Sequence, residues 1–324
     1  MSGMKKSISI LAILFLSAGL EAAWAADYPT KAITLYVGYA AGGATDTAAR
    51  IFANQVNKYL EQPMIVNNKP GGGSAVAADF VAKSKPDGYT LFNSTITTVI
   101  QTVINPSNPF KITEFTPIVG LYSMPLVIVV KGDSKLNTIE ELIDFAKKNP
   151  NRLSMGTPGM NSVHHFALEI FKREAKIEVN HIPFQGDAPG VVGVMGGHVD
   201  AAFLGLVAVA EHMKGGTMKG LAMTTSRRTP QFPGLPTMAE KGFPKTGRIF
   251  SWGGVFAPAG LPGPVLEKLS GAYQKAAPSP EVISQLDKVG FTATYMNAKE
   301  FDHFVKEEYK RLTDVSQSAQ MIQK

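Results

Sequence analysis

The sequence predicts an α/β protein organised as two lobes, and three observations carry that expectation. Residues 33–92 run strand, helix, strand, helix, strand, the order of a parallel sheet with crossover helices. After residue 152 the same idea returns: a strand, a loop rich in glycine and hydroxyls, then a helix. Two apolar stretches, residues 115–131 and 250–257, stand where the chain would pass from one unit to the other and come back.

The first strand is the β-branched run Ile33-Thr34-Leu35-Tyr36-Val37. It leads into Gly38-Tyr39-Ala40-Ala41-Gly42-Gly43-Ala44-Thr45-Asp46, and a helical pattern follows through Ala48, Ala49, Ile51, Phe52 and Val56. Strand, glycine-rich turn and helix start together make an anion site. Glycines let backbone N–H groups approach a ligand, and the helix N-terminus adds partial positive charge. Thr45 and Asp46 are placed to cap the helix, and Thr45 could instead offer its hydroxyl to a ligand. Met64-Ile65-Val66 is a short strand running into Pro70-Gly71-Gly72-Gly73-Ser74 and a helix through Ala75, Ala78 and Val81. The triple glycine lacks the G-K-[ST] of a phosphate loop, so a nucleotide site is not expected there. Pro86-Asp87-Gly88 turns the chain into the strand Tyr89-Thr90-Leu91-Phe92, which ends in Asn93-Ser94-Thr95. Ligands of open α/β sheets sit beyond the carboxyl ends of the strands. Gly42, Gly43, Thr45 and Asp46, and again Asn93, Ser94 and Thr95, lie at such ends.

In the second unit, Thr138 and Glu141 form a capping box for a helix that Pro150 stops. The strand Arg152-Leu153-Ser154-Met155 opens into Gly156-Thr157-Pro158-Gly159-Met160-Asn161-Ser162, and a helix follows with Phe166, Leu168, Ile170 and Phe171. Residues 179–184 make a strand, Asp187 suits the N-cap of the next helix with Pro189 in its first turn, and Gly196-Gly197 ends it. Further strands are expected over 199–204 and 219–224, and residues 227–236 read as a proline-rich loop. Pro264 presets a helix through Val265, Leu266, Leu269 and Tyr273. Asn297 and Glu300 frame the start of the last helix, whose apolar face holds Phe301, Phe304, Val305, Tyr309 and Leu312.

Composition narrows the class. Lys5 and Lys6 precede an apolar run over residues 8–20, and Ala23-Trp24-Ala25 is a cleavage site, so residues 1–25 read as a secretory signal peptide cut after Ala25. The remainder is long enough for two core-bearing lobes. No cysteine is present, which excludes disulfides, thiolate metal sites and a lipid-bearing cysteine; an exported chain of this kind suits a bacterial envelope. Removing the leader lowers the formal charge from +6 to +5. Charges are scattered rather than clustered, which argues against nucleic acid. No G-x-S-x-G, H-E-x-x-H or S-x-x-K set occurs. His164 and His165 are adjacent and point about 100° apart on a helix, a poor chelating pair; one is expected in the core and the other at the surface. His181, His198, His212 and His303 read as isolated. Asp200 reads either as a ligand contact or as a structural carboxylate bonded to nearby N–H groups, and the second is favoured. No catalytic constellation, metal site or cofactor is expected.

Taken together the motifs resemble the tripartite tricarboxylate transporter substrate-binding proteins, the Bug family of periplasmic receptors. The matching stretches are Tyr28-Pro29-Thr30-Lys31, Ala40–Asp46 with Ala49-Arg50, and Asn68-Lys69-Pro70-Gly71-Gly72-Gly73. They continue with Lys85–Leu91, Ser162-x-x-His165, Pro183-Phe184-Gln185-Gly186-x-Ala188-Pro189, Gly196–Asp200, Leu235–Glu240 and Ala257–Gly260. The order is the family's, across nearly the whole mature chain. Departures are Tyr39 for the usual Phe, Phe184-Gln185 for the common Tyr-Lys, and Phe166 for Leu; Gln185 removes a positive charge near the cleft. The resemblance implies a Venus-flytrap receptor of type II periplasmic-binding-protein architecture, two Rossmann-like lobes closing on a small di- or tricarboxylate or related organic acid. Such a receptor is a periplasmic monomer that delivers its ligand to integral-membrane permease subunits and does no chemistry. Carried over, the ligand-binding residues are Gly42, Gly43, Thr45 and Asp46 in one lobe, and Thr157, Asn161, Ser162 and Asp187 in the other. Asn93, Ser94 and Thr95 join them from strand-end geometry. The expected lobes are residues 26–124 with 251–324, and residues 125–250. The competing readings are an enzyme on the same scaffold and a sensor that passes the ligand-bound form to a membrane signalling protein.

Overall fold

The computed structural model describes residues 28–225, 228–229 and 231–318. The predicted leader and its cleavage point lie outside these residues, as does Arg227 of the proline-rich loop. The chain opens with β1 (Ile33–Val37), α1 (Ala44–Val56), β2 (Met64–Asn68), α2 (Ala75–Ala82), β3 (Thr90–Thr95) and α3 (Ile96–Ile104). Then β4 (Phe115–Met124) leads through Pro125 straight into β5 (Leu126–Lys131). Next come α4 (Ile139–Lys148), β6 (Ser154–Thr157), α5 (Val163–Ala175), β7 (Asn180–Pro183), α6 (Asp187–Met195), β8 (Ala201–Gly205), α7 (Leu206–Lys214) and β9 (Met218–Met223). A helical turn α8 (Pro244–Gly247) precedes β10 (Ser251–Pro258), α9 (Gly263–Ala276), α10 (Pro280–Val289), β11 (Thr292–Met296) and α11 (Ala298–Ser318).

Two sheets result, one ordered β11-β4-β10-β3-β1-β2 and the other β7-β6-β8-β5-β9. The architecture is bilobal α/β. Strands β3, β1 and β2 are parallel, as expected from their helical crossovers. The sheets as wholes are mixed, however: β10 runs antiparallel to both β3 and β4, and β5 runs antiparallel to β8 and β9. The antiparallel members enter where the chain crosses between the units: β10 returns from the second unit to lie between β3 and β4, and β5 enters the second sheet directly from β4. Their central neighbours are buried on both faces, with every residue of β8 and β10 buried, as strands covered by helices on each side must be. β11 pairs with β4 at the sheet edge; it was not expected, because only two of its five residues, Ala293 and Met296, pack on the core.

Helix ends explain where the strands hand over. Thr138 accepts from the N–H of Glu141 at 3.2 Å, but Glu141 takes the N–H of Asn137 rather than that of Thr138, so only half of the expected box forms. Asn297 and Glu300 do form reciprocal bonds at 3.0 and 2.9 Å. Asp200 accepts from the N–H and hydroxyl of Ser154 at 2.8 and 2.6 Å, tying β6 to the start of β8. That is the structural role read for it.

Candidate functional site

The loop after β1 is shaped by its own carboxylate. A Cβ on Gly38 would lie 1.8 Å from the Ser74 hydroxyl, so glycine here admits the triple-glycine turn against β1. The N-cap of α1 is Gly43, with no side-chain cap, so neither Thr45 nor Asp46 caps the helix. They lie two and three positions past the cap, inside the first turn. Asp46 instead accepts from the N–H of Gly42 at 2.9 Å, from Arg50 Nε at 3.0 Å and from Asn68 Nδ2 at 2.9 Å, and Arg50 Nη2 stands 2.9 Å from its other oxygen. Burial works against its charge, but the bonds from Arg50, Gly42 and Asn68 outweigh it and hold the carboxyl below its ordinary range. Gly42 and Asp46 thus occupy one another. Asn93 reaches into the same loop, its Nδ2 donating to the Thr45 carbonyl at 3.2 Å. Thr95 caps α3 by accepting from Thr97, and the Ser94 and Thr98 hydroxyls bond to each other.

From the other sheet, Ser162 caps α5 by accepting from the His165 N–H at 3.2 Å. Asn161 sits at positive φ and donates its N–H to His165 Nδ1 at 3.0 Å. Thr157 bonds His181 Nε2 at 2.7 Å, and the His165 and His181 rings stack at 4.3 Å. His181 is therefore not isolated, and His165 is not a surface residue: the stack props up the loop that carries Thr157 and Asn161. Burial, with the neighbouring His165, depresses the His181 pKa to about 4. Asp187 is not an N-cap. Gly186 holds that position, and Asp187 is the first helical residue, its Oδ1 turned to accept the N–H of Gly205 at 2.8 Å.

The two halves meet at these loops. The N–H of Ala40 reaches the Gln185 carbonyl at 3.3 Å. The N–H of Val163, the first residue of α5, donates to Thr97 Oγ1 at 3.1 Å, and the Tyr39 hydroxyl donates to the same oxygen. Positions Gly43 and Asp187 face one another, since a Cβ on Gly43 would lie 3.7 Å from the Asp187 nitrogen; one on Gly205 would lie 3.3 Å from the Ala44 Cβ. Helices starting after Gly43, Thr95, Ser162, Gly186 and Gly205 therefore open toward one region, which gathers partial positive charge from the helix starts themselves. Thr45, Asn93, Ser94, Thr95, Thr157, Ser162 and Asp187 are buried there. So are polar atoms that have no hydrogen-bond partner: Asn93 Oδ1, Gln101 Oε1, the Tyr122 hydroxyl and both ring nitrogens of His164. Tyr122 faces Asn93 and Thr45 without completing a bond, and burial drives its phenol pKa up. Tyr39 is likewise pushed up to about 12 by burial.

Sequence reasoning misses Tyr39, Thr97, Gln101, Tyr122 and Gly205, and does not say which of His164 and His165 is the core residue. Gln101 and Tyr122 sit in the middle of a helix and a strand, where nothing in the local pattern marks them. Tyr39 was noticed only as a departure from the family pattern. Cavities of about 690 and 340 Å³ lie elsewhere. The larger is at the far end of α3 from Thr95, against Phe110, Phe115 and Tyr309, so size does not identify the site. Among the described residues, no group of three or more His, Asp or Glu could hold a metal ion, and no helix is long and apolar enough to cross a membrane.

The model of the tripartite tricarboxylate transporter family receptor matches residues 48–321. The chain belongs to that family. It is 31% identical over 316 residues to protein BugT of Bordetella pertussis, which covers 96% of this chain and 97% of that one. Among solved structures it resembles the periplasmic binding protein BugD (TM-score 0.87, 27% identity, 92% of this chain and 100% of that chain). It also resembles Rhodopseudomonas palustris Rpa4515 with adipate (TM-score 0.85, 28% identity, 90% and 98%). MatC of the same organism, with bound malate, superimposes with TM-score 0.85 at 28% identity (89% and 99%).

Proposed function

We propose that this family member is the periplasmic receptor of a tripartite transporter, capturing a small organic acid between its two lobes and passing it to the integral-membrane permease subunits. The observation that carries this reading is the convergence of glycine- and hydroxyl-started helices on one buried region that holds unpartnered polar atoms. Neutral donors and helix starts hold a carboxylate without burying an unpaired protein cation. The lobes are residues 26–124 with 251–324, and residues 125–250, joined where β4 runs into β5 and where the chain returns into β10. Gly43, Thr45, Asn93, Ser94 and Thr95 face the ligand from one lobe, and Thr157, Asn161, Ser162 and Asp187 from the other. Gly42 and Asp46 hold the first loop in shape. Malate and adipate, bound by two similar proteins, are the class of ligand to try first.

The protein is exported as a monomer beginning at Ala26 and releases its ligand chemically unchanged. A thermal-shift screen of carboxylic acids on refolded, ligand-stripped protein tests the reading, because a ligand of the native state raises the midpoint. Turnover of any hit would favour an enzyme instead. A screen without a hit among mono-, di- and tricarboxylates would overturn the proposal.

A further inference from the structure

The proposed cleft contains one charge that a simple dicarboxylate receptor does not need. Asp187 is buried at the first turn of α6, directly across from the start of α1. Among the described residues no lysine or arginine pairs with it. Asp46, the other acid near the cleft, is matched by Arg50. His164, whose Nε2 stands 3.7 Å from Asp187 Oδ1, is held neutral by burial, which disfavours its charged form. The N–H of Gly205 and the start of α6 offset part of the Asp187 charge but bring no full positive charge. His164 meanwhile keeps both nitrogens buried and without a hydrogen-bond partner. A group that donates to Asp187 and lies beside His164 would satisfy both.

We infer that Asp187 and His164 form a subsite for an ammonium group, so that the ligand is an amino acid rather than a plain dicarboxylate. This rests on the carboxylate-receptor reading above. The ligand carboxylate takes the helix starts after Gly43 and Thr95, and its amine lies between the Asp187 carboxylate and a neutral His164 nitrogen. An acid without the amine would place its negative charge near Asp187 with nothing between them, and like charges disfavour one another. The alternative role for Asp187 is purely structural, latching α6 to Gly205. Asp187→Asn separates the two, because asparagine keeps the oxygen that Gly205 bonds and removes the charge.

The experiment is calorimetric titration of ligand-stripped protein with acids that differ only in the amine: aspartate against succinate, glutamate against glutarate, phenylalanine against 3-phenylpropanoate. In at least one pair the amino member should bind about tenfold tighter or more, a gap of about 1.4 kcal/mol. Asp187→Asn should erase that preference, by weakening the amino member and by relieving the repulsion of its amine-free partner, which should bind as tightly as before or tighter. If Asp187→Asn does not fold, the wild-type pairs still decide, and the preference must vanish as pH is raised past titration of the ligand amine. Binding of the amine-free acids equal to or tighter than their partners overturns the subsite and leaves the receptor reading standing, as does a preference that survives in Asp187→Asn. Binding of no acid in either series overturns the subsite, and the receptor reading falls with it only when the full carboxylic-acid screen also gives no hit.

Discussion

Thr45 and Ser162 are hydroxyl residues at two helix starts that open on the same region, yet the structure uses them differently. Ser162 accepts from its helix backbone, and Ser162→Ala should cost about 1 kcal/mol of stability. Thr45 caps nothing. If its hydroxyl meets the ligand carboxylate, Thr45→Ala should weaken binding by about 1.5–3 kcal/mol, the range for hydrogen bonds to charged groups. Calorimetry beside denaturation midpoints checks both variants, and unchanged affinity for Thr45→Ala would remove that residue from the site. The histidine stack gives a pH dependence whose direction is set. The pKa of folded His181 is depressed to about 4 from 6.5, so the unfolded chain binds more protons between those values. Its contribution is complete above about pH 6.5 and is lost as pH falls toward 4. His165 and His164, also depressed by burial, act in the same sense. The melting midpoint should fall over this window, and His181→Asn should flatten the fall; an unaltered slope would show that the stack does not contribute.

At the scale of elements, the last helix was among the easiest to read and its partner strand among the hardest. The α11 cap and its apolar stripe follow from residue spacing, and Phe301 is fully buried, its ring 5.7 Å from Trp252 and 5.0 Å from Phe256 of β10. Trp252 also donates to Glu308 at 3.0 Å, and Glu308 is held by Arg311, so one polar link reinforces the apolar contact. Phe301→Ala should cost about 3–5 kcal/mol in chemical denaturation. A loss under about 1 kcal/mol would mean that the helix repacks around the gap. β11 had no such signature, because a short edge strand shows little of its sequence to the core; its partner β4 settles its place. Strand direction was hidden for a similar reason. An apolar run reads alike forward or backward, so only the pairing of β10 between β3 and β4 revealed a mixed sheet.

For the molecule as a whole, the close approach of the two halves depends on glycines that face one another between them. A Cβ on Gly73 would lie 2.2 Å from the Met160 carbonyl of the other half, and Gly73 has φ of +62°. Gly73→Ala should therefore hold the lobes apart, at a strain of about 1–2 kcal/mol for the left-handed backbone. Small-angle scattering with saturating ligand should show the wild-type protein compacting and the variant remaining extended, with affinity reduced. Compaction of the variant to wild-type dimensions would show that the triple-glycine turn can move aside.

What the sequence determined by itself is everything that depends on near neighbours: strand–loop–helix units, most helix starts and stops, the anion-friendly loops, and the family they belong to together. Periodicity, capping and turn chemistry act over a few residues, so they are written locally. Only the tertiary structure decided which groups those loops leave free. It sent Asp187 to Gly205 rather than to its own helix cap and stacked His165 on His181. It also brought the His164 ring nitrogens, the Tyr122 hydroxyl and Asn93 Oδ1 into one buried region without hydrogen-bond partners. A hydrogen bond is settled by distance between atoms that lie far apart in the chain, and no spacing rule contains that distance.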